Sequence, residues 1–205
     1  QKDRSFNDWP NDMLALANYL ELNKFSVIGN SGGGCYVVAC AAMIPERLLS
    51  AVVISGGWQM NLPEAKKNLK FPNNIFWNIA TYIPFLLPVL LNSMKSSPKE
   101  SKEKNLAQAK KVMAPPDYEA LIQNDRAEML AKTLDESLVN KKGVIWDLRL
   151  YLKKFNFNLE EIKFPITFPT LSLSFSLVPI FQHLNAASIV VSVGPYKSII
   201  CIEFE

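Results

Sequence analysis

The feature that most constrains this chain is a serine placed among glycines, between an apolar run and an alanine-rich run. Residues 25–36 read FSVIGNSGGGCY, with Gly29 two positions before Ser31 and Gly33 two positions after it. A strand that turns at once into a helix forces the residue at the turn into a strained, exposed conformation, and it needs small neighbours where strand and helix approach each other. The pattern therefore predicts a strand, a sharp turn at Ser31 and a buried helix.

The segments on either side of the turn fit that prediction. Residues 25–28 are apolar and partly β-branched, whereas residues 35–44 are rich in alanine and valine and are closed by Pro45 and Glu46. Residues 50–55, SAVVIS, are typical of a second buried strand. Strand, turn, helix and strand within about thirty residues predict a βαβ unit with a parallel sheet.

The spacing Gly29-x-Ser31-x-Gly33 also fits the G-x-S-x-G signature of serine nucleophiles. Its serine stands at a helix N-terminus, where unpaired N–H groups favour a developing negative charge. Ser31 is therefore the candidate nucleophile, and the N–H of Gly32 is the candidate oxyanion donor. The alternatives are a glycine turn without chemistry and a phosphate-binding loop. The missing Lys-Ser/Thr after the glycines and the missing G-x-G-x-x-G spacing disfavour the phosphate loop.

Residues 6–57 resemble the αB, β5, elbow, αC and β6 portion of α/β-hydrolase-fold proteins, and residues 157–162 more weakly resemble the approach to β7. The matching pieces are Asp8-Trp9-Pro10, Asp12, Phe25, Gly32 to Gly34, Ala39-Cys40-Ala41, Pro45-Glu46-Arg47 and Ser55-Gly56. The resemblance implies an α/β fold, hydrolysis of esters or similar small apolar substrates by a serine nucleophile, and no cofactor or metal. Compared with the family, the chain looks truncated at its N-terminus and diverged at its C-terminus.

The resemblance divides the chain into core residues 1–57, a helical cap at residues 58–156 and core residues 157–205, which hold β7, a helix and β8. In the cap region, helices are predicted at residues 61–69, 75–91, 99–113, 117–139 and 142–154. Strand β7 is expected at residues 164–168 and β8 at residues 188–193. Cap aromatic residues form either an apolar pocket wall or the cap's own core: Trp58, Phe76, Trp77, Tyr82, Phe85, Trp146 and Tyr151. Helical spacing further predicts a buried stripe of Met129, Leu130, Leu134 and Leu138.

The acid and the histidine of the family are missing from their expected positions. The family order is serine, acid, histidine. Ser174 or Phe175 stands where the aspartate would fall, and Lys197 stands at the histidine position. The single histidine, His183, lies where the helix between β7 and β8 should begin, and Lys197 could serve as a base only if it were buried. Two hypotheses follow: a serine hydrolase, or a non-catalytic relative that binds a ligand or partner.

Residues 75–91, IFWNIATYIPFLLPVLL, are strongly apolar but slightly short for a membrane span. Pro84 and Pro88 would break a helix there. We expect a broken, amphipathic or buried lid segment, with contact to a membrane surface as the alternative.

Composition narrows the classes of partner and the compartment. The net charge is only +3, and the basic residues do not form a stripe with interleaved aromatic residues, so nucleic-acid binding is not expected. Cys35, Cys40 and Cys201 lie in apolar contexts and are interpreted as buried thiols of a reducing compartment, although a single bridge stays open. Residues 1–4 lead into a polar segment rather than a signal peptide, which favours a cytoplasmic protein. The oligomeric state is not predicted.

Overall fold

A computed structural model provides the fold. It describes residues 3–54, 56–57, 59–67, 69, 71–94, 106–107, 109–111, 113, 115–123, 126–168, 189–192 and 199–202. The helices are α1 (Asp8–Tyr19), α2 (Gly34–Met43), α3 (Pro63–Lys66), α4 (Asn73–Tyr82), α5 (Leu87–Ser93), α6 (Pro115–Leu121), α7 (Arg126–Ser137) and α8 (Lys141–Tyr151). The strands are β1 (Phe25–Asn30), β2 (Leu48–Ile54), β3 (Ile189–Ser192) and β4 (Ile199–Ile202). The protein is thus a mixed α/β structure in which helix predominates.

The predicted βαβ unit is confirmed. Strands β1 and β2 pair in parallel, with α2 between them in the chain. Val52 pairs with Ile28 on one side and with Thr167, also in parallel, on the other. Two backbone hydrogen bonds of 2.9 Å, one donated to Thr167 by Val53 and one donated by Thr167 to Ala51, make that second pairing. A single residue of the predicted β7 therefore pairs with the edge of β2.

The C-terminal strands form a hairpin. β3 lies within the predicted β8 and pairs with β4 in antiparallel fashion, from Ile189 opposite Ile202 to Ser192 opposite Ile199. The sequence analysis did not predict β4. Strand β4 lies beside β1, which is the edge strand of the β1–β2 sheet on that side. An uncovered edge there would favour association with another strand.

Residues 34–41 of helix α2 are all buried, because most of them are small and apolar. One apolar cluster packs its Val37 and Val38 against α1, β1 and β2. A second cluster packs Cys35, Tyr36 and Ala39 of α2 against the helical region, and its other fully buried members include Leu87, Leu91 and Leu138. Each fully buried leucine contributes about 1.5–3 kcal/mol relative to an exposed one. The helical region is thereby fixed to the helix that follows Ser31.

Several helices differ from their predicted limits. The helix expected at residues 61–69 is only α3, and the one expected at residues 117–139 is two helices, α6 and α7. The buried stripe is wrong at Met129, whose exposed fraction is 64%, whereas Leu138 is fully buried. Met129 lies within α7, whereas Leu138 follows the end of that helix, so the two do not form one helical stripe.

The apolar segment at residues 75–91 is broken, as its prolines predict. Helix α4 ends at Tyr82, a single 3₁₀ turn covers Pro84–Leu86, and α5 follows. No single helix among the described residues is long and apolar enough to cross a bilayer. The two halves reach that length and composition only together, and they are bent by 116°.

Candidate active site

Ser31 has the conformation that the turn requires. Its φ is 53°, in the left-handed region that non-glycine residues rarely adopt, and the residue is exposed. The Ser31 N–H donates to the Ile54 carbonyl at 2.9 Å, and the Ser31 carbonyl accepts from Gly34 and Gly57 at 3.1 Å each. These bonds tie the strained residue to the end of β2 and to the start of α2.

Gly29 is required because β1 and α2 approach each other closely. A Cβ at position 29 would lie 2.5 Å from the Gly33 carbonyl oxygen and 2.8 Å from Cγ2 of Val37. The first of these atoms belongs to the backbone and cannot move without opening the turn. The mechanical reason for the glycine before Ser31 is therefore confirmed.

The backbone of the turn leaves one N–H available next to Ser31. Ser31 donates to Ile54, Gly33 donates to Asn30 and Gly34 donates to Ser31. Within the described part of the chain, the N–H of Gly32 donates no hydrogen bond. Gly32 itself is buried, whereas the neighbouring Ser31 is exposed.

Gly32 is covered by Tyr151, at the end of α8. A Cβ at position 32 would fall on the Tyr151 hydroxyl and lie 2.5 Å from its ring carbon Cζ. Tyr151 is 4% exposed, and Trp77 of α4 packs edge-to-face against its ring at a centroid distance of 6.4 Å. One aromatic residue predicted for the cap region, Tyr151, thus lies next to the turn, and a second, Trp77, packs against it. No local sequence signal indicates these contacts.

Polar side chains are buried beneath the turn. The Tyr36 hydroxyl donates to Oδ1 of Asp147 at 3.0 Å, and the Cys35 thiol donates to the Gly32 carbonyl at 2.8 Å. Burial, and then the neighbouring titratable groups, raise the pKa of Tyr36 far above its ordinary value, and burial does the same for Tyr151. Both phenols therefore stay protonated near neutral pH. The sequence analysis missed Asp147; its only local signal is a carboxylate inside the apolar stretch of α8.

Other residues predicted from the sequence are placed as follows. Tyr82 and Phe85 do not line a buried pocket, because their exposed fractions are 73% and 75%. The indole N–H of Trp146 donates to the Arg4 carbonyl at 2.8 Å, so Trp146 packs near the N-terminus. The remaining predicted site residues lie outside the described residues: Trp58, Ser174, Phe175, His183 and Lys197.

Helix α2 carries two cysteines, Cys35 and Cys40. Both thiols are buried, as their apolar context predicts, and burial raises the pKa of Cys40 to about 12. Within the ranges that the structure describes, no three His, Cys, Asp or Glu side chains are grouped so that they could hold a metal ion.

Comparison with known proteins gives no further identification. No family model matches the sequence, and no curated protein matches it significantly. The chemical interpretation of the site therefore depends on the geometry around Ser31 and on its contacts with α2, β2 and α8.

Proposed function

We propose that this protein is α/β-hydrolase-like, with a partial core, a helical cap at residues 58–156, and Ser31 as a nucleophile toward small apolar esters. The observation that carries the proposal is the conformation of Ser31, which is exposed at φ 53° at the junction of a parallel strand and a buried helix. Holding a residue in that conformation costs about 1–3 kcal/mol, and such strain is concentrated at functional sites.

The geometry supports acyl transfer in the following way. Oγ of Ser31 attacks the carbonyl carbon of the ester, the new C–O bond forms, and the alkoxide leaves as the old C–O bond breaks. Negative charge develops on the carbonyl oxygen, next to the N–H of Gly32 and the N-terminus of α2. One oxyanion donor is typically worth about 2.7–4 kcal/mol of barrier lowering.

The fate of the hydroxyl proton limits the rate. A serine hydroxyl is a weak nucleophile unless a base accepts its proton. Because the sequence has no aspartate and no histidine at the family's acid and base positions, the proton passes to solvent hydroxide. Acylation is then slow and rises with pH, and hydrolysis of the acyl-enzyme is slow for the same reason. We therefore expect little turnover by this chain.

The surroundings of the turn favour an apolar substrate. Tyr151 lies beside Gly32, Trp77 packs against Tyr151, and the helices that carry them share one apolar cluster. A concave site lined by aromatic side chains with a few fixed donors is the usual arrangement for small apolar ligands. The same wall would serve the alternative function, a relative that binds such a ligand without reacting with it.

Release of p-nitrophenol from p-nitrophenyl butyrate tests the proposal. We expect a slow release of about one equivalent per chain, accompanied by a butyryl mass increase on the protein, because acylation outruns deacylation. Ser31→Ala should abolish both signals. Ser50→Ala is the matched control, since Ser50 is also exposed but donates to Ser26 at 2.9 Å. Absence of the mass increase in the wild-type protein would favour the ligand-binding alternative.

A further inference from the structure

The bend between α4 and α5 exposes a continuous apolar surface, here called the apolar turn and defined as residues 82–86 together with Val89. Tyr82, Phe85 and Val89 have exposed fractions of 73%, 75% and 66%, and Ile83 and Leu86 are 39% and 37% exposed. Residues 82–86 are thus five consecutive exposed residues without a charge. Contiguous apolar surface of this kind marks an interaction site rather than ordinary scatter.

The apolar turn has a fixed base. Ala80 precedes it and is 2% exposed, while Leu87 and Leu91 follow it and are fully buried in the second apolar cluster. The helices bend by 116° at the turn. These buried residues anchor both helices, so the backbone of the apolar turn is already fixed before anything binds. Binding then costs little backbone conformational entropy.

Lysines at the end of α3 lie beside the apolar turn. In the sequence, residues 65–99 contain five lysines and no aspartate or glutamate, and Glu100 follows directly. Of these lysines, Lys66 and Lys67 belong to the described residues. Nζ of Lys66 lies 5.2 Å from the centre of the Tyr82 ring, and Lys67 is exposed. At the other end, Lys141 bonds to the Asn92 side chain of α5. Glu64 on α3 is the nearest acidic residue before this stretch.

We propose that the apolar turn inserts into the interface of an anionic lipid surface. An aromatic and aliphatic apex suits the boundary between headgroups and acyl chains, and lysines at its margin suit the phosphate and carboxylate groups of anionic lipids. The proposal concerns the apex between α4 and α5, since neither helix alone is long enough to span a bilayer. This inference does not depend on the chemistry of Ser31.

The lysines beside the apolar turn disfavour a second copy of this chain as its binding partner. Two apolar turns brought face to face would also bring together the Lys66 and Lys67 side chains of both copies. Like charges placed opposite each other across an interface oppose association. An anionic lipid surface instead gains from every lysine, by about fivefold in affinity for each one near the surface.

Sedimentation with vesicles tests the proposal on the wild-type protein. One set of vesicles contains phosphatidylcholine alone, and the other contains phosphatidylcholine with phosphatidylserine. We expect binding at least about tenfold stronger to the mixed vesicles and a loss of binding as salt is added, because salt screens the lysines. Equal binding to the two vesicles, or no binding to either, would overturn the proposal.

Substitutions locate the surface that binds. Tyr82→Ser/Phe85→Ser should weaken binding by more than about tenfold because it removes two rings that leave water on insertion. Its control is Tyr19→Ser, at the end of α1, where the side chain is 84% exposed. Lys66→Glu/Lys67→Glu should weaken binding to the mixed vesicles by more than about twentyfold. Its control is Lys24→Glu, another exposed lysine.

Two results would assign the surface differently. Wild-type binding by Tyr82→Ser/Phe85→Ser would show that lipid contact occurs elsewhere. Self-association of the wild-type protein that this double substitution abolishes, without any lipid binding, would assign the apolar turn to a second copy and overturn the proposal. Far-UV circular dichroism and thermal unfolding of each variant ensure that only folded protein is compared, since all four substituted side chains are at least partly exposed.

Discussion

The side chain of Tyr151 fills the space that a Cβ at Gly32 would occupy. The ring carbon Cζ lies 2.5 Å from that Cβ position, so the residue after Ser31 must be a glycine for a local reason. The G-x-S-x-G spacing does not itself demand a glycine there. Through this contact, α8 covers the turn that presents Ser31.

Gly32→Ala should lower the free energy of unfolding by about 1–3 kcal/mol, because the added methyl group overpacks against the buried Tyr151 ring. The matched control is Gly143→Ala in α8, where nothing lies within 4 Å of the Cβ position. That control should be neutral or stabilising by up to about 1 kcal/mol, because alanine favours helix. Urea unfolding measures both changes. Equal effects of the two substitutions would contradict the contact with Tyr151.

Gly29→Ala should be more destabilising than Gly32→Ala. The obstacle at position 29 is the backbone carbonyl of Gly33 at 2.5 Å, whereas the obstacle at position 32 is the far end of a side chain, which can be displaced without moving the backbone. Relief at position 29 requires β1 and α2 to separate. Urea unfolding of the two variants measures both losses in the free energy of unfolding. A larger loss for Gly32→Ala than for Gly29→Ala would mean that β1 and α2 do not approach each other this closely.

Ser31→Gly should raise the free energy of unfolding by about 1 kcal/mol, because glycine adopts a φ of 53° without the steric cost that serine bears. Ser31→Ala keeps the Cβ and should change stability little. Thermal unfolding compares the three proteins. A glycine variant less stable than the alanine variant would show that Ser31 is not in the left-handed conformation.

Tyr36→Phe should lower the free energy of unfolding by about 1–3 kcal/mol, because the substitution removes a donor from the buried Asp147 carboxylate. Tyr19→Phe, on an 84% exposed side chain, should change stability by less than about 0.5 kcal/mol. A double-mutant cycle of Tyr36→Phe with Asp147→Asn isolates the pair. Strict additivity of the two substitutions would argue against a direct interaction.

Stability should decline at high pH, in part because of Cys40. Burial raises the pKa of this thiol from 9.0 to about 12, so the unfolded chain loses its proton first. A raised pKa in the folded state contributes stability that is present below pH 9.0 and is lost as the pH rises toward about 12. Urea unfolding at pH 8 and at pH values above 9.0 should show a smaller decline for Cys40→Ala than for the wild-type protein. Identical declines would contradict a buried thiol at this position.

Local sequence patterns predict the elements that carry Ser31, but they do not predict the contacts between distant parts of the chain. The run at residues 25–28, the glycines and the alanine-rich stretch predict strand, turn and helix because each is encoded by adjacent residues. The Tyr36–Asp147 bond joins residues 111 positions apart, and no periodicity indicates such a pairing. Helical spacing does not show that α7 ends before Leu138, which is buried while Met129 is exposed. The exposure of Tyr82 and Phe85 likewise depends on how the bend packs.

Fluorophosphonate labelling followed by peptide mapping tests the central claim, that Ser31 is the reactive nucleophile, most directly. In this reaction the Ser31 Oγ–P bond forms, the P–F bond breaks and fluoride leaves. We predict slow labelling that reaches about one label per chain, maps to the peptide containing Ser31, is absent in Ser31→Ala and is retained in Ser50→Ala. A folded wild-type protein that stays unlabelled, or a label on Ser50, would contradict the account.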